Sequence, residues 1–369
     1  MNTLLGCCLI HLCIGSVYAL SVLYPAILAK TGWEDIILIK GFSFTILTLG
    51  LTAALHQYVL KDCWKLIVLC FGTLMWCFSN LVIFSNIVIE HNSIPIHYIG
   101  SLLLGLSIGL LYVVPINIVS ELKFSMKGLA SGSVVGCFGL GSILSAKIFS
   151  NVTDISTPLI FGFIIACTSL LCLGIYFIED LGECDSLNPP EEFERDRKWY
   201  LLAVTFTLNI GIGISLLSNL TSFGLINGLN LTETVELVAL AGLLNTLGRF
   251  IYPIISDFIG KFLILGVMFS LQLLAVLTVY VGEYWEIGVL IILSIYGGMF
   301  AILPSLLNKL YNNTIAYSQM LSVWGIAGMI FPILFNYFNL YLLIFLCGMQ
   351  ITVYLDLCLL KLKTCGKCI

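Results

Sequence analysis

The chain is 369 residues long, 60% hydrophobic and only 10% charged, with a formal net charge of −4 and a mean hydropathy of +1.08. An ordinary domain has roughly a quarter of its residues charged, so a soluble globular protein is excluded, and with no basic tract interleaved with aromatics nucleic-acid binding has no support. Apolar runs of about 20 residues follow one another with short breaks, which is the signature of spanning helices, and the weak ten-residue alternation of a membrane barrel is absent.

Twelve spans are predicted, at 3–28, 39–60, 64–89, 97–120, 128–150, 157–178, 200–225, 235–256, 262–282, 287–308, 316–337 and 340–361. The first begins almost at Met1 and is too long for a cleaved signal peptide, so it reads as a retained helix. His11, Gly15 and Tyr18 share one of its faces; His11 is either a proton site or a packed, hydrogen-bonded side chain. Tyr112 and Asn117 on the fourth span, Asn209 on the seventh, Gln272 on the ninth and Tyr296 on the tenth either line a central cavity or bond between helices. Glu121, Asp257 and Asp356 all fall near span ends, which leaves no acid at midmembrane.

The longest break, "EDLGECDSLNPPEEFERDRKW" at 179–199, is acidic, contains proline and has no apolar period, as a solvated linker does. It divides the chain into six-helix units at 1–178 and 200–369. The other loops are short, which excludes an ectodomain or a soluble catalytic domain. An even count puts both termini on one side. If that side is cytoplasmic, Lys61, Lys65, Lys123, Lys127, Arg195, Arg197, Lys198, Lys261, Lys309, Lys361, Lys363 and Lys367 lie inside and only Lys30, Lys40 and Lys147 outside, as the positive-inside rule requires. The plasma membrane is favoured over an organelle membrane, and a monomer is expected.

The fourteen cysteines are scattered through apolar segments, as small buried hydrophobes are, and do not form a disulfide framework. The Cys365-Gly-Lys-Cys368 end is open to palmitoylation, metal binding or free thiols, but is no prenylation box because Gly366 stands where the cysteine is needed. Four histidines without ligand spacing give no metal, cofactor or enzyme constellation. The sequons Asn151-Val-Thr153 and Asn230-Leu-Thr232 fall in short loops on the outer side.

An internal repeat supports the division. With a spacing of 189, Gly109 meets Gly298, Pro115 meets Pro304, Ser133-Val134 meets Ser322-Val323, Gly136 meets Gly325 and Gly139 meets Gly328. A weaker match at 196 sets Gly15 on Gly211 and Lys65 on Lys261. Two six-helix halves of the same orientation are parallel repeats, whose substrate site lies between them near the midplane. Gly132, Gly136, Gly139 and Gly141 give the fifth span a small-residue packing face.

Arg249, in "NTLGRFIYPIISDFIGK", is the one arginine inside an apolar run. It precedes Asp257 by eight residues, roughly 12 Å along a helix, which puts it towards the middle of a core about 30 Å thick. An arginine there costs at least about 2.5 kcal/mol, so it must face protein or a wet cavity. Asn245 and Tyr252, at i−4 and i+3, share its face. Its planar fork matches a carboxylate through two hydrogen bonds. It is therefore either an anion-binding residue or a brace for an inner gate.

Stretches in both halves resemble the oxalate/formate antiporter-like and monocarboxylate-transporter branch of the major facilitator superfamily. They are "GLLYVVPI…KGLASGSVVGCFGLGSI", "LLNTLGRFIYPIISDFIGK", "YGGMFAILPSLLNKLY" and, more loosely, "GSVYALSVLYPAIL". The resemblance implies an all-α polytopic fold of two pseudo-symmetric bundles and transport by alternating access. It implies that Arg249 binds carboxylate and that Asp257, Gly260 and Lys261 help gate the inner side. Pro253 stands where the family usually has glycine, and "HQYVLKDCWK" leaves Asp62 without a clear equivalent role. Asn245 replaces an aspartate frequent in proton-coupled carriers, and Trp324 stands where dicarboxylate exchangers have a lysine. One cation instead of two favours a monocarboxylate over oxalate, with Trp324 as an apolar wall. The expected partners are a small organic anion, with a proton or counter-anion, and membrane lipid. The rival readings are a carrier of a non-anionic solute or drug and a non-transporting sensor.

Overall fold

The computed structural model describes residues 2–59, 64–121, 127–152, 154–155, 158–178, 193–311 and 314–365. Lys61, Asp62, Lys123, Thr153, Lys367, Cys368 and most of the linker (179–192) lie outside the described residues. Among the described residues, twelve helices are long and apolar enough to cross a membrane. They are α1 (Asn2–Thr31), α2 (Asp35–Val59), α3 (Lys65–Val88), α4 (Ile94–Glu121), α5 (Lys127–Phe149), α6 (Pro158–Tyr176), α7 (Arg197–Ile226), α8 (Leu231–Ile259), α9 (Lys261–Val281), α10 (Trp285–Tyr311), α11 (Thr314–Phe338) and α12 (Leu340–Cys365). Each coincides with a predicted span, with ends shifted by a few residues.

The helix starts follow local chemistry. Asp196 caps α7 by accepting the Trp199 amide at 2.9 Å. Asn230 and Glu233 form a reciprocal capping box at α8, so the asparagine of the second sequon satisfies amides that a helix start leaves orphaned. Arg197 donates to both carboxylate oxygens of Asp356, at 3.0 and 2.9 Å, tying α7 to α12. At the far end, opposite the termini, Lys30 meets Glu90 at 2.6 Å and holds that carboxyl below its usual range.

The first span differs from a plain helix. It is α-helical over Asn2–Ile14, winds as a 3₁₀ helix over Gly15–Leu23, and returns to α over Tyr24–Thr31. Pro25 has no N–H to offer the Ser21 carbonyl, and the Tyr24 amide takes that carbonyl one residue early. Tight winding runs back from that point through Gly15, Ser16, Ala19 and Ser21. A 3₁₀ run longer than three or four residues is uncommon. Here it aims Tyr18 across the molecule.

The pairings obey a two-fold relation. In the first bundle α1 packs on α5 and α6, and α4 on α2 and α3; in the second α7 packs on α11 and α12, and α10 on α8 and α9. The bundles meet along two equivalent seams, α2 against α11 and α5 against α8. Two glycine pairs of the sequence repeat, Gly136 with Gly325 and Gly139 with Gly328, occupy those seams, whereas Gly109 and Gly298 pack inside their own bundles. A Cβ on Gly136 would lie 2.8 Å from the Phe250 ring and one on Gly139 would lie 1.7 Å from Thr246 Oγ1. On the other seam, Gly325 and Gly328 are pressed against Leu47, Gly50 and Ile46 in the same way. Gly15 and Gly141 bring α1 and α5 together, with Cβ positions 1.9 Å from the carbonyls of Phe138 and Leu12.

Gly15→Ala and Gly141→Ala should therefore each cost about 1–3 kcal/mol through forced backbone shifts, read as a lower Tm in detergent. Gly162→Ala, with nothing within 4 Å of the added Cβ, should leave Tm unchanged or raise it slightly. Equal Tm values for all three variants would contradict the packing described.

Candidate functional site

Arg249 sits on α8 where the two bundles meet, and is 4% exposed. Its Nη1 donates to the Val135 carbonyl of α5 at 2.9 Å, whereas Nε has no hydrogen-bond partner. The guanidinium carbon lies 5.8 Å from the Phe138 ring centre on α5 and 5.6 Å from that of Phe300 on α10. Negative ring faces partly replace water around a buried cation. Among the described residues no carboxylate pairs with it.

The rings form one connected wall drawn from both bundles. Phe138 meets Tyr18 at 5.0 Å and Tyr112 at 5.8 Å. Phe300 meets Tyr296 at 5.2 Å and Trp324 at 4.9 Å. Two contacts cross between the bundles: Tyr112 with Trp324 at 5.9 Å, and a hydrogen bond of 2.9 Å between the Tyr18 and Tyr296 hydroxyls. His11 lies beside Tyr112 at 5.2 Å and Phe138 at 6.5 Å. Towards the far end, Thr221 bonds to Ser21 at 3.2 Å and Ser222 to Asp35 at 3.3 Å, each joining α7 to the first bundle.

The structure thus brings together Arg249, His11, Tyr18, Tyr112, Tyr296 and Trp324. It separates Asn245 and Tyr252 from them. The Tyr252 hydroxyl reaches Ser294 on α10 at 3.2 Å, and Asn245 is pressed against Gly297 of α10, whose Cβ would meet the Asn245 carbonyl at 2.0 Å. Residues sharing a helical stripe still diverge when that stripe straddles two neighbours, here α5 and α10. Asn209 and Gln272 pair with each other at 3.1 Å inside the second bundle. Phe138, Phe300 and the Val135 carbonyl were not singled out by sequence. A phenylalanine in an apolar run gives no signal of its own, and a carbonyl gives none at all.

Two buried donors of the cluster are not satisfied: Arg249 Nε, and the Trp324 Nε1, which lies beside the Tyr296 hydroxyl but outside hydrogen-bond geometry. Native proteins leave few such groups, and each calls for a reason. A cation with a spare donor, ringed by aromatic faces, can accept a small planar anion through charge-assisted hydrogen bonds.

At the termini end, Asp257 is exposed on the last turn of α8, and Lys261, which interacts with it electrostatically, opens α9. Gly260 between them caps α8 through its N–H to the Ser256 carbonyl at 2.8 Å. Its φ of 91° and ψ of 145° fall in a region that residues with a Cβ avoid.

A fold of twelve spans in two related bundles, with a buried cation where they meet, defines a polytopic membrane carrier. The chain belongs to the Major Facilitator Superfamily, whose profile matches residues 5–335. It is 25% identical over 264 residues to an oxalate:formate antiporter of Oxalobacter formigenes, an alignment covering 66% of this chain and 59% of the relative. It is 25% identical over 258 residues to a probable transporter, MCH1, of Candida albicans, covering 60% and 56%. The chain therefore aligns with less than two thirds of either relative. Among solved structures, the human organic anion transporter MFSD10 superimposes with a TM-score of 0.71 at 13% identity, covering 96% of this chain and 99% of that one. The transporter FucP, in an outward conformation, gives 0.69 at 12% identity, covering 96% and 97%. Both show the fold.

Two outcomes are expected. A double-mutant cycle of Tyr18→Phe and Tyr296→Phe should give a coupling of about 0.5–1.5 kcal/mol in unfolding free energy; additive effects would mean the hydroxyl pair does not hold the bundles together. Gly260→Ala should lower stability by about 1–3 kcal/mol, read by thermal unfolding, and an unchanged Tm would contradict the strained turn.

Proposed function

We propose that this transporter carries a small organic anion, a monocarboxylate in preference to a dicarboxylate, by alternating access between the two bundles. The observation that carries the reading is Arg249, buried at the bundle interface with Nε unpartnered and no described carboxylate beside it. A guanidinium in the bilayer core is costly to keep. An anion that binds there removes the uncompensated charge, and one cation balances one negative charge. Trp324, Tyr112, Tyr18 and Tyr296 belong to the ring wall around the guanidinium, and in this reading they limit the size of the group attached to the carboxylate. The relatives' names, an oxalate:formate antiporter and an organic anion transporter, point to the same substrate class.

In this reading the units 1–178 and 200–369 rock about the Arg249 cluster, and the chain works as a monomer. The termini and the acidic linker 179–199 face the cytoplasm, on the lysine and arginine distribution, and the plasma membrane is the favoured site. The Asp257–Gly260–Lys261 turn takes part in opening and closing that side, and a proton or counter-anion accompanies the substrate. His11 belongs to the substrate cluster, while Asn245 and Tyr252 support it by packing α8 against α10.

A second reading is favoured by the bond to Val135: Arg249 braces α8 against α5 and touches no substrate. Uptake of labelled formate, lactate, pyruvate and oxalate into proteoliposomes separates the two. With a carboxylate at Arg249, Arg249→Gln should lose at least about 100-fold in uptake, on the order of 3 kcal/mol for a buried charge-assisted pair, while still folding by thermal shift. Equal uptake by wild type and variant would leave only the brace.

A further inference from the structure

We propose that His11 is the proton site of this carrier: it takes up one proton as a carboxylate binds Arg249, so that anion and proton cross together. The inference rests on the carboxylate reading of Arg249.

The argument begins with placement. His11 is fully buried on α1, and neither ring nitrogen reaches hydrogen-bond geometry, the Cys7 carbonyl one turn back being in reach but off line. It shares two neighbours with Arg249. Phe138 contacts the imidazole on one side and the guanidinium on another, and Tyr112, 5.2 Å from the imidazole, also interacts with Arg249. The imidazole and the guanidinium therefore share Phe138 and Tyr112 as neighbours and approach them from opposite bundles.

The titratable neighbours are few. From α4 comes Tyr112, from α5 Cys137 beside Cys8, from α6 Cys167 beside Cys13, and from α8 Arg249. Tyr18 lies two turns along α1, and Tyr296 and Tyr317 border the cluster from α10 and α11. Phenols and thiols are neutral donors near pH 7, and Asn245 does not titrate. Among the described residues, His11 is the only side chain of the cluster able to gain a charge between pH 5 and 8.

Charge arithmetic then links the two sites. Without an anion, a proton on His11 would place a second positive charge beside Arg249 in a poorly solvated interior, which is strongly disfavoured. A bound carboxylate cancels the first charge and offers the acceptor that the imidazole lacks. The same proton is then favoured. Linkage makes the effect mutual: a proton on His11 raises the affinity for the anion by the factor by which the anion raises the affinity for the proton. The proton comes from whichever aqueous side the cluster faces and leaves with the anion on the other, so one cycle moves no net charge.

The test is lactate accumulation in proteoliposomes with the outside one pH unit more acidic, measured above protein-free vesicles before lactic acid leaks. Wild type should concentrate lactate about tenfold, the ratio that one coupled proton sustains per pH unit, and an imposed potassium–valinomycin potential should not alter it. Folded His11→Gln, whatever its rate, should reach only equal concentrations on the two sides. Tenfold accumulation by His11→Gln would overturn the proposal, as would a wild type that carries lactate in an Arg249-dependent way and ignores the gradient. A wild type that carries no acid would sink the carboxylate reading itself. Should His11→Gln prove too slow to assay, proton uptake from lightly buffered detergent solution decides. Measured at lactate concentrations that saturate each protein, one proton per bound lactate in wild type and none in His11→Gln, with weaker lactate binding by the variant, supports the proposal; equal proton uptake, or unchanged lactate affinity in the variant, overturns it.

Discussion

A guanidinium in the middle of a hydrocarbon slab has to be solvated by the protein, because nothing else is there to do it. Arg249 receives one backbone carbonyl and two aromatic faces, which is less than its five donors can use. Most of the interface can be understood from that shortfall. The cation lies where the bundles meet, on α8, and its immediate neighbours come from α5 across the seam and from α10 within its own bundle. Among the described residues, rings and not acids surround it. An acid would neutralise the arginine permanently and leave the anion of the proposed function nothing to do.

The seams around this point are packed in a way that suits the proposed rocking of the bundles. Along both, glycines bring backbones close enough that a methyl group would collide. Contacts of this kind rely on shape, with few polar atoms to unpair when one bundle rotates on the other. Besides the Arg249–Val135 bond, the side-chain hydrogen bonds across the interface among the described residues are few: Tyr18 to Tyr296, Ser21 to Thr221, Asp35 to Ser222. Each is a single hydrogen bond of modest net worth, the scale that the proposed alternating access requires of contacts that form and break. The 3₁₀ winding of α1, imposed from Pro25 backwards, carries Tyr18 and Ser21 into two of those links.

Much of this was legible in the residues. Apolar runs and their breaks located all twelve spans, because in lipid the backbone has little choice but helix. The repeat at a spacing of 189 marked glycines that prove to be the equivalent seam positions Gly136 with Gly325 and Gly139 with Gly328. Arg249 stood out by its cost alone. Phe138 and Phe300 did not, since a phenylalanine packed against a cation reads like any core residue. Nor could the stripe of Asn245, Arg249 and Tyr252 be resolved, because helical spacing gives a direction and not the neighbour met along it. The break in α1 was hidden as well: proline near a helix end is ordinary, and its effect on the preceding nine residues depends on what they pack against.

The most direct test of the account is thermal unfolding of purified wild type and Arg249→Gln with increasing lactate or pyruvate, ionic strength held constant. Binding to the native state stabilises it by about 2.7 kcal/mol at a hundredfold excess over Kd. The account predicts a saturable rise in Tm for wild type and none for the variant, whose uncharged side chain gives a carboxylate nothing to bind. A rise of the same size in both proteins would place the anion elsewhere and leave Arg249 as a strut between α5 and α8.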